Sequence, residues 1–95
     1  MSVTVVLTLK AKPGTYAGLA ATMAAILPDT AARDGAELIR AAGDPETETV
    51  TVYEIWDRIE SQQSYLAWRA ERGDLETLGG MLREPPKFET LATIF

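Results

Sequence analysis

The stretch that most constrains this chain runs from Thr49 to Arg72, TVTVYEIWDRIESQQSYLAWRAER. Its first half repeats with period two and β-branched residues, the signature of a strand. That strand carries a carboxylate among apolar neighbours, Glu54, and an indole, Trp56. The second half changes to helical spacing and carries Tyr65 and Trp68. A strand running straight into a helix, with these four side chains close together, is where a site is sought first.

The rest of the chain is read outward from there. Val3, Val5, Leu7 and Leu9 alternate with Thr4, Val6, Thr8 and Lys10, which predicts a first strand. Pro13-Gly14 stops it, and Thr15 can cap a helix over Thr15 to Leu27. Tyr16, Leu19, Ala20, Met23, Ile26 and Leu27 form that helix's apolar stripe, and its other face is all small residues. Pro28 is expected to end it. Ala36 to Ala42 reads as a second strand, although Ala, Glu and Leu also favour helix. Gly43-Asp44-Pro45-Glu46 then turns the chain into the strand Thr49 to Asp57, completing a hairpin. Asp57 or Ser61 can cap the next helix, whose stripe is expected to include Tyr65, Leu66, Trp68 and Ala70. Gly73 suits its left-handed end. Asp74 can cap a short helix over Leu75 to Leu82, and Lys87 to Ile94 reads as a last strand after Pro85-Pro86.

Residues 1–95 fit one domain, and 46% hydrophobic content suits a globular chain. The order strand, helix, strand, strand, helix, short helix, strand is the split βαβ pattern of an α+β, ferredoxin-like sandwich with an antiparallel sheet. Helices cover one sheet face and leave the other open. The strands are apolar on more than one face, and an open apolar face is usually an interface. Two such faces packed together would close a barrel between subunits, in which Trp56 finds cover.

Composition removes several function classes. There is no cysteine and no histidine, so thiol nucleophiles, thiolate zinc sites, the commonest general base and the usual haem ligand are absent. The fourteen acidic residues are scattered, without the spacing of a calcium loop. No metal site is expected. A net charge of −5 and no basic stripe argue against nucleic acid and against an anionic membrane surface. Met1 to Leu9 lacks the features of a signal peptide, and no apolar run is long enough to span a bilayer, so the cytoplasm is the expected location.

Several landmarks resemble the antibiotic biosynthesis monooxygenase family of the dimeric α/β-barrel superfamily. They are Lys12-Pro13-Gly14, Arg33-Asp34-Gly35, Gly43-Asp44-Pro45, the strand Val52-Tyr53-Glu54-Ile55-Trp56 and the aromatic pair in Tyr65-Leu66-Ala67-Trp68. The resemblance spans essentially the whole chain. It implies a homodimer, an apolar pocket, and oxidation of a small aromatic molecule of polyketide, quinol or anthrone type by molecular oxygen, with no cofactor. Trp68 stands where the family often has histidine. The haem-degrading branch also uses an asparagine on the first strand, where this chain has Val, Thr and Leu. Haem degradation is therefore not expected.

Such chemistry needs a base, a donor for the developing anion and an apolar pocket. Glu54 and Arg40 are the catalytic candidates, as base and donor. Trp56, Trp68, Tyr65 and Leu7 are the substrate-binding candidates. Each has a structural alternative. Glu54 could pair with Arg40 or Arg58, and Trp56, Tyr65 and Trp68 could be core. Tyr53, which alternates to the face opposite Glu54, reads as core. Two other functions stay open: a non-catalytic small-molecule-binding dimer, and a cyclase or isomerase.

Overall fold

A computed structural model describes all 95 residues, Met1–Phe95. The elements are β1 (Val3–Lys10), α1 (Tyr16–Ala31), β2 (Ala36–Asp44), β3 (Thr49–Trp56), α2 (Ile59–Glu71), α3 (Asp74–Gly79) and β4 (Lys87–Ala92). The strands form one antiparallel sheet in the order β2-β3-β1-β4. This is the α+β ferredoxin-like arrangement that the element order implies.

The register sorts the side chains into two populations. Val5 pairs with Glu54, Leu7 with Val52 and Leu9 with Val50, so these six share a face. All six are buried there against the helices. Leu19, Met23 and Leu27 of α1, with Tyr65 of α2 and Leu78 of α3, close over them in one continuous core. The stripe spacing of α1 therefore selects the side of the helix that meets the sheet. On the other face, Val6 pairs with Tyr53, which pairs with Arg40. Tyr53 is 43% exposed there and is not core. This open face is graded rather than uniformly apolar. The row Leu91, Thr4, Ile55 and Leu38 marks its apolar end. Lys87, Thr8, Thr51 and Ala42 form a more polar row four residues along.

Element boundaries and caps depart from the sequence reading at several places. Helix α1 continues through Pro28 to Ala31. Proline removes one N–H, on an exposed side of the last turn, while Thr30 is fully buried and bonds Tyr65. Strand β2 extends to Asp44, and β4 stops at Ala92. Neither Asp57 nor Ser61 caps α2. The Ser61 hydroxyl donates instead to Asp57 at 2.6 Å, and Arg58 occupies the cap position in extended conformation. Gly73, with φ +78°, closes α2 as expected but also precedes α3 in the cap position given to Asp74. The carboxylate of Asp74 is engaged elsewhere, as described below. No helix is long and apolar enough to cross a membrane.

Candidate active site

Between the helix-covered face and α1, α2 and α3 lies a cavity of about 300 Å³. Nine of its thirteen lining residues are hydrophobic, so a ligand there would be largely desolvated. Leu7 forms part of the wall on β1, Met23 and Leu27 on α1, Leu66 on α2 and Leu78 on α3. Phe88 of β4, 45% exposed, stands at the rim. Two larger surface depressions, of about 400 and 650 Å³, are lined mainly by polar and small residues and do not reach Glu54.

Four polar side chains break the apolar lining: Glu54, Tyr65, Arg69 and Asp74. Glu54 is 4% exposed and sits on β3 between core residues Val52 and Trp56. One carboxylate oxygen accepts the indole N–H of Trp56 at 2.9 Å. The other oxygen has no protein partner, and it is not among fully enclosed unpaired atoms, so it opens on the cavity. Burial pushes the Glu54 carboxyl above the usual range, and the Trp56 bond only partly opposes this. The result is a carboxylate of raised basicity with one acceptor position free.

Arg69 is built differently. It lies on α2 one turn after Tyr65 and is 2% exposed. Its Nε donates to the Tyr65 hydroxyl at 3.0 Å, and Nη1 to Asp74 at 2.9 Å. Its Nη2 donates to the Ile26 carbonyl at 2.9 Å and to Thr30 at 3.3 Å. One guanidinium thus ties α1, α2 and α3 together around the cavity. Burial works against its charge, but Tyr65 and Asp74 outweigh this and hold its pKa above the ordinary value. The hydrogen bond from Arg69, helped by Arg72 at 3.1 Å, draws the Asp74 carboxyl below the usual range against a smaller opposing effect of burial.

The structure brings Glu54, Tyr65 and Leu7 to one cavity and separates the other candidates. Arg40 is exposed on the open face, in register with Tyr53, whereas Ile39 is the neighbour of Glu54. Arg40 therefore can neither pair with Glu54 nor donate to a ligand bound beside it. Trp56 needs no second subunit to hide it: it is fully buried under the helices, with its ring 5.4 Å from that of Tyr65. It is not part of the cavity wall and acts on the site through Glu54. Trp68 lies outside the wall, with the guanidinium groups of Arg33, Arg69 and Arg72 at 4.7 to 4.8 Å from its ring. The buried stripe of α2 is Gln62, Tyr65 and Arg69, while Ala70 is exposed. Arg69 and Asp74 were missed because a charged residue is normally set on the solvent face. The one available signal was helical spacing, which puts Arg69 above Tyr65.

No family model matches the chain, and no curated protein matches its sequence. Solved structures do. A protein provisionally named antibiotic biosynthesis monooxygenase, from Deinococcus radiodurans, superposes with a TM-score of 0.84 at 20% identity, over 98% of this chain and 93% of that one. A conserved protein from Methanosarcina mazei Go1 gives 0.85 at 15% identity, over 99% and 94%. NE2512, a protein of unknown function from Nitrosomonas europaea, gives 0.82 at 24% identity, over 99% and 93%. Provisionally named antibiotic biosynthesis monooxygenases from Bordetella bronchiseptica and Chloroflexus aurantiacus align at 0.74 and 0.79. From end to end, the chain has the fold of these proteins.

Proposed function

We propose that the protein is an oxygenase of small, flat, electron-rich aromatic molecules, working in the cytoplasm as a homodimer, with Glu54 as the base. The observation that carries this reading is the free oxygen of a basic, buried carboxylate facing an apolar cavity. Glu54 removes a proton from an acidic ring CH₂, or from the hydroxyl of its phenol tautomer, leaving the same electron-rich anion. That anion gives its electrons to molecular oxygen, and a carbon–oxygen bond forms as a peroxide. A second proton leaves the same carbon, the oxygen–oxygen bond breaks, and water departs. The sum is R₂CH₂ + O₂ → R₂C=O + H₂O, in which the substrate supplies all the electrons. Trp56 holds the carboxylate in place, and the apolar wall keeps the anion from water. A second copy would cover the apolar end of the open face around Ile55, Leu38 and Leu91 and complete a barrel. Sedimentation showing one stably folded subunit at micromolar concentration would remove the dimer from the proposal.

The decisive experiment is oxygen uptake with anthrones and hydroquinones. Native protein should sustain uptake, and Glu54→Gln should lose at least about 100-fold while staying folded. Full activity in that variant would sink the role of Glu54. The alternative is a non-catalytic binding protein, and one observation favours it. The Tyr65 hydroxyl and four of the five Arg69 N–H groups are already engaged, leaving little to stabilise a developing anion. Ligand binding without oxygen uptake is its expected signature.

A further inference from the structure

We infer that Asp74 is a specificity residue: by masking the charge of Arg69, it restricts the cavity to neutral aromatic ligands and excludes those that carry a carboxylate. The inference rests on the reading that this cavity binds flat aromatics, and concerns which of them enter. Two of the four polar groups in the wall are acids, Glu54 and Asp74, and one is a cation, Arg69. Asp74 takes a hydrogen bond from Nη1 of Arg69 at 2.9 Å and a second from Nε of Arg72 at 3.1 Å. Arg69 in the wall and Arg72 outside it are therefore both turned toward Asp74. The remaining Arg69 bonds hold Nε and Nη2 against Tyr65, Thr30 and Ile26. What Asp74 occupies is the one guanidinium nitrogen not already committed to α1 or to Tyr65.

The consequence is electrostatic. A neutral hydroxyarene can present its hydroxyl to the free oxygen of Glu54 and leave every existing bond intact. An arene carboxylate would have to be desolvated in an apolar space beside Glu54, with its natural partner already neutralised. Without the Asp74 charge, Arg69 would offer Nη1 and an unmatched positive charge to the same space. Asp74 sits at the first residue of α3, the helix that also carries Leu75 and Leu78 into the wall, so one side chain both fastens α3 and sets the charge that the ligand meets.

The test compares 2-naphthol with 2-naphthoate, which share a ring system and differ in charge, by titration calorimetry at neutral pH. Native protein should bind 2-naphthol at least about tenfold tighter. Asp74→Ala should raise 2-naphthoate affinity by at least about tenfold and leave 2-naphthol within about threefold. Asp74→Asn keeps a hydrogen-bond acceptor for Arg69 but not the charge. If Asp74 acts only as a fastener, Asn preserves the native preference, and the proposal fails. If it acts as a mask, Asn shifts the preference in the same direction as Ala. Should Asp74→Ala unfold, Asp74→Asn and the native ratio still decide. Equal native affinities, no binding of either probe, or an unchanged ratio in the folded variants would each overturn the inference. Oxygen consumption is not read here, so a protein that fails to oxidise anything can still pass, and an active oxygenase can still fail.

Discussion

Glu54 and Arg69 are both almost wholly buried, both line the same cavity, and solve the same physical problem in opposite ways. Arg69 makes four hydrogen bonds to three helices and stacks against Trp68. Its charge is desolvated but matched, as burial of an ion requires. Glu54 makes one side-chain hydrogen bond and has no cation beside it. Desolvation raises its pKa, whereas the Tyr65 and Asp74 partners of Arg69 overcome desolvation and keep that residue charged. A complete set of partners marks a part that holds the molecule together. An incomplete one marks a part left ready for something else.

That contrast is broken most directly at Arg69. Arg69→Met fills similar space but strands the Tyr65 and Thr30 hydroxyls, the Ile26 carbonyl and Asp74. Loss of about 3–5 kcal/mol is expected in urea unfolding, as for one member of a buried ionic network. A loss under about 1 kcal/mol would mean that Arg69 is dispensable to packing and that the contrast with Glu54 is false.

Glu54→Gln should act in the other direction. Glutamine can keep the Trp56 bond through its amide oxygen and carries no charge to desolvate. Because the folded-state pKa of Glu54 is raised, the folded form holds this proton to higher pH than the unfolded chain does. The stability this contributes is complete below the ordinary value of 4.5 and is lost as pH rises through the elevated folded value. At pH 8, Glu54→Gln is expected to be about 0.5–2 kcal/mol more stable than the native protein, with a flatter profile above pH 4.5. Asp74 has the opposite sign. Its depressed pKa contributes stability at neutral pH that is lost as pH falls through the folded value. The two carboxylates of one cavity thus titrate with opposite effects on folding. Equal stability of Glu54→Gln and native protein across pH would show that Glu54 is solvated rather than buried.

The fold was legible because period and order speak directly. Alternation in Val3–Lys10 and Thr49–Trp56, with helical stripes between, leaves few ways to cover one sheet face. The site was legible only in part. Alternation along β3 places Glu54 on the face of Val50 and Val52, so its burial could be read. The mispairing with Arg40 is a one-residue slip along β2, where Ala, Glu and Leu give no clean alternation: the turn sets Asp44 opposite Thr49, which puts Ile39 against Glu54 and Arg40 against Tyr53. Pro28 misled because proline's missing N–H was weighed and the buried Thr30–Tyr65 contact could not be. Arg69 was hidden for a similar reason. Its value comes from four acceptors on residues 26, 30, 65 and 74, which only the packed helices bring together.

The smallest expected effect separates the two tryptophans. Both resemble ligand platforms in the sequence, yet only Trp56 touches Glu54, and only Trp68 sits among the arginines. Trp68→Leu removes the ring face from three guanidinium groups, of which Arg69 stays fixed by its other bonds. The loss should be about 0.5–1 kcal/mol, typical of a partly exposed cation–π contact. Because Trp68 is not in the cavity wall, 2-naphthol affinity should stay within about twofold of native, by calorimetry on the same preparation. A tenfold loss of affinity with stability intact would place the ligand on the outer side of α2. It would then be the arginine cluster around Trp68, and not the half-satisfied carboxylate on β3, that the chain keeps ready for a partner.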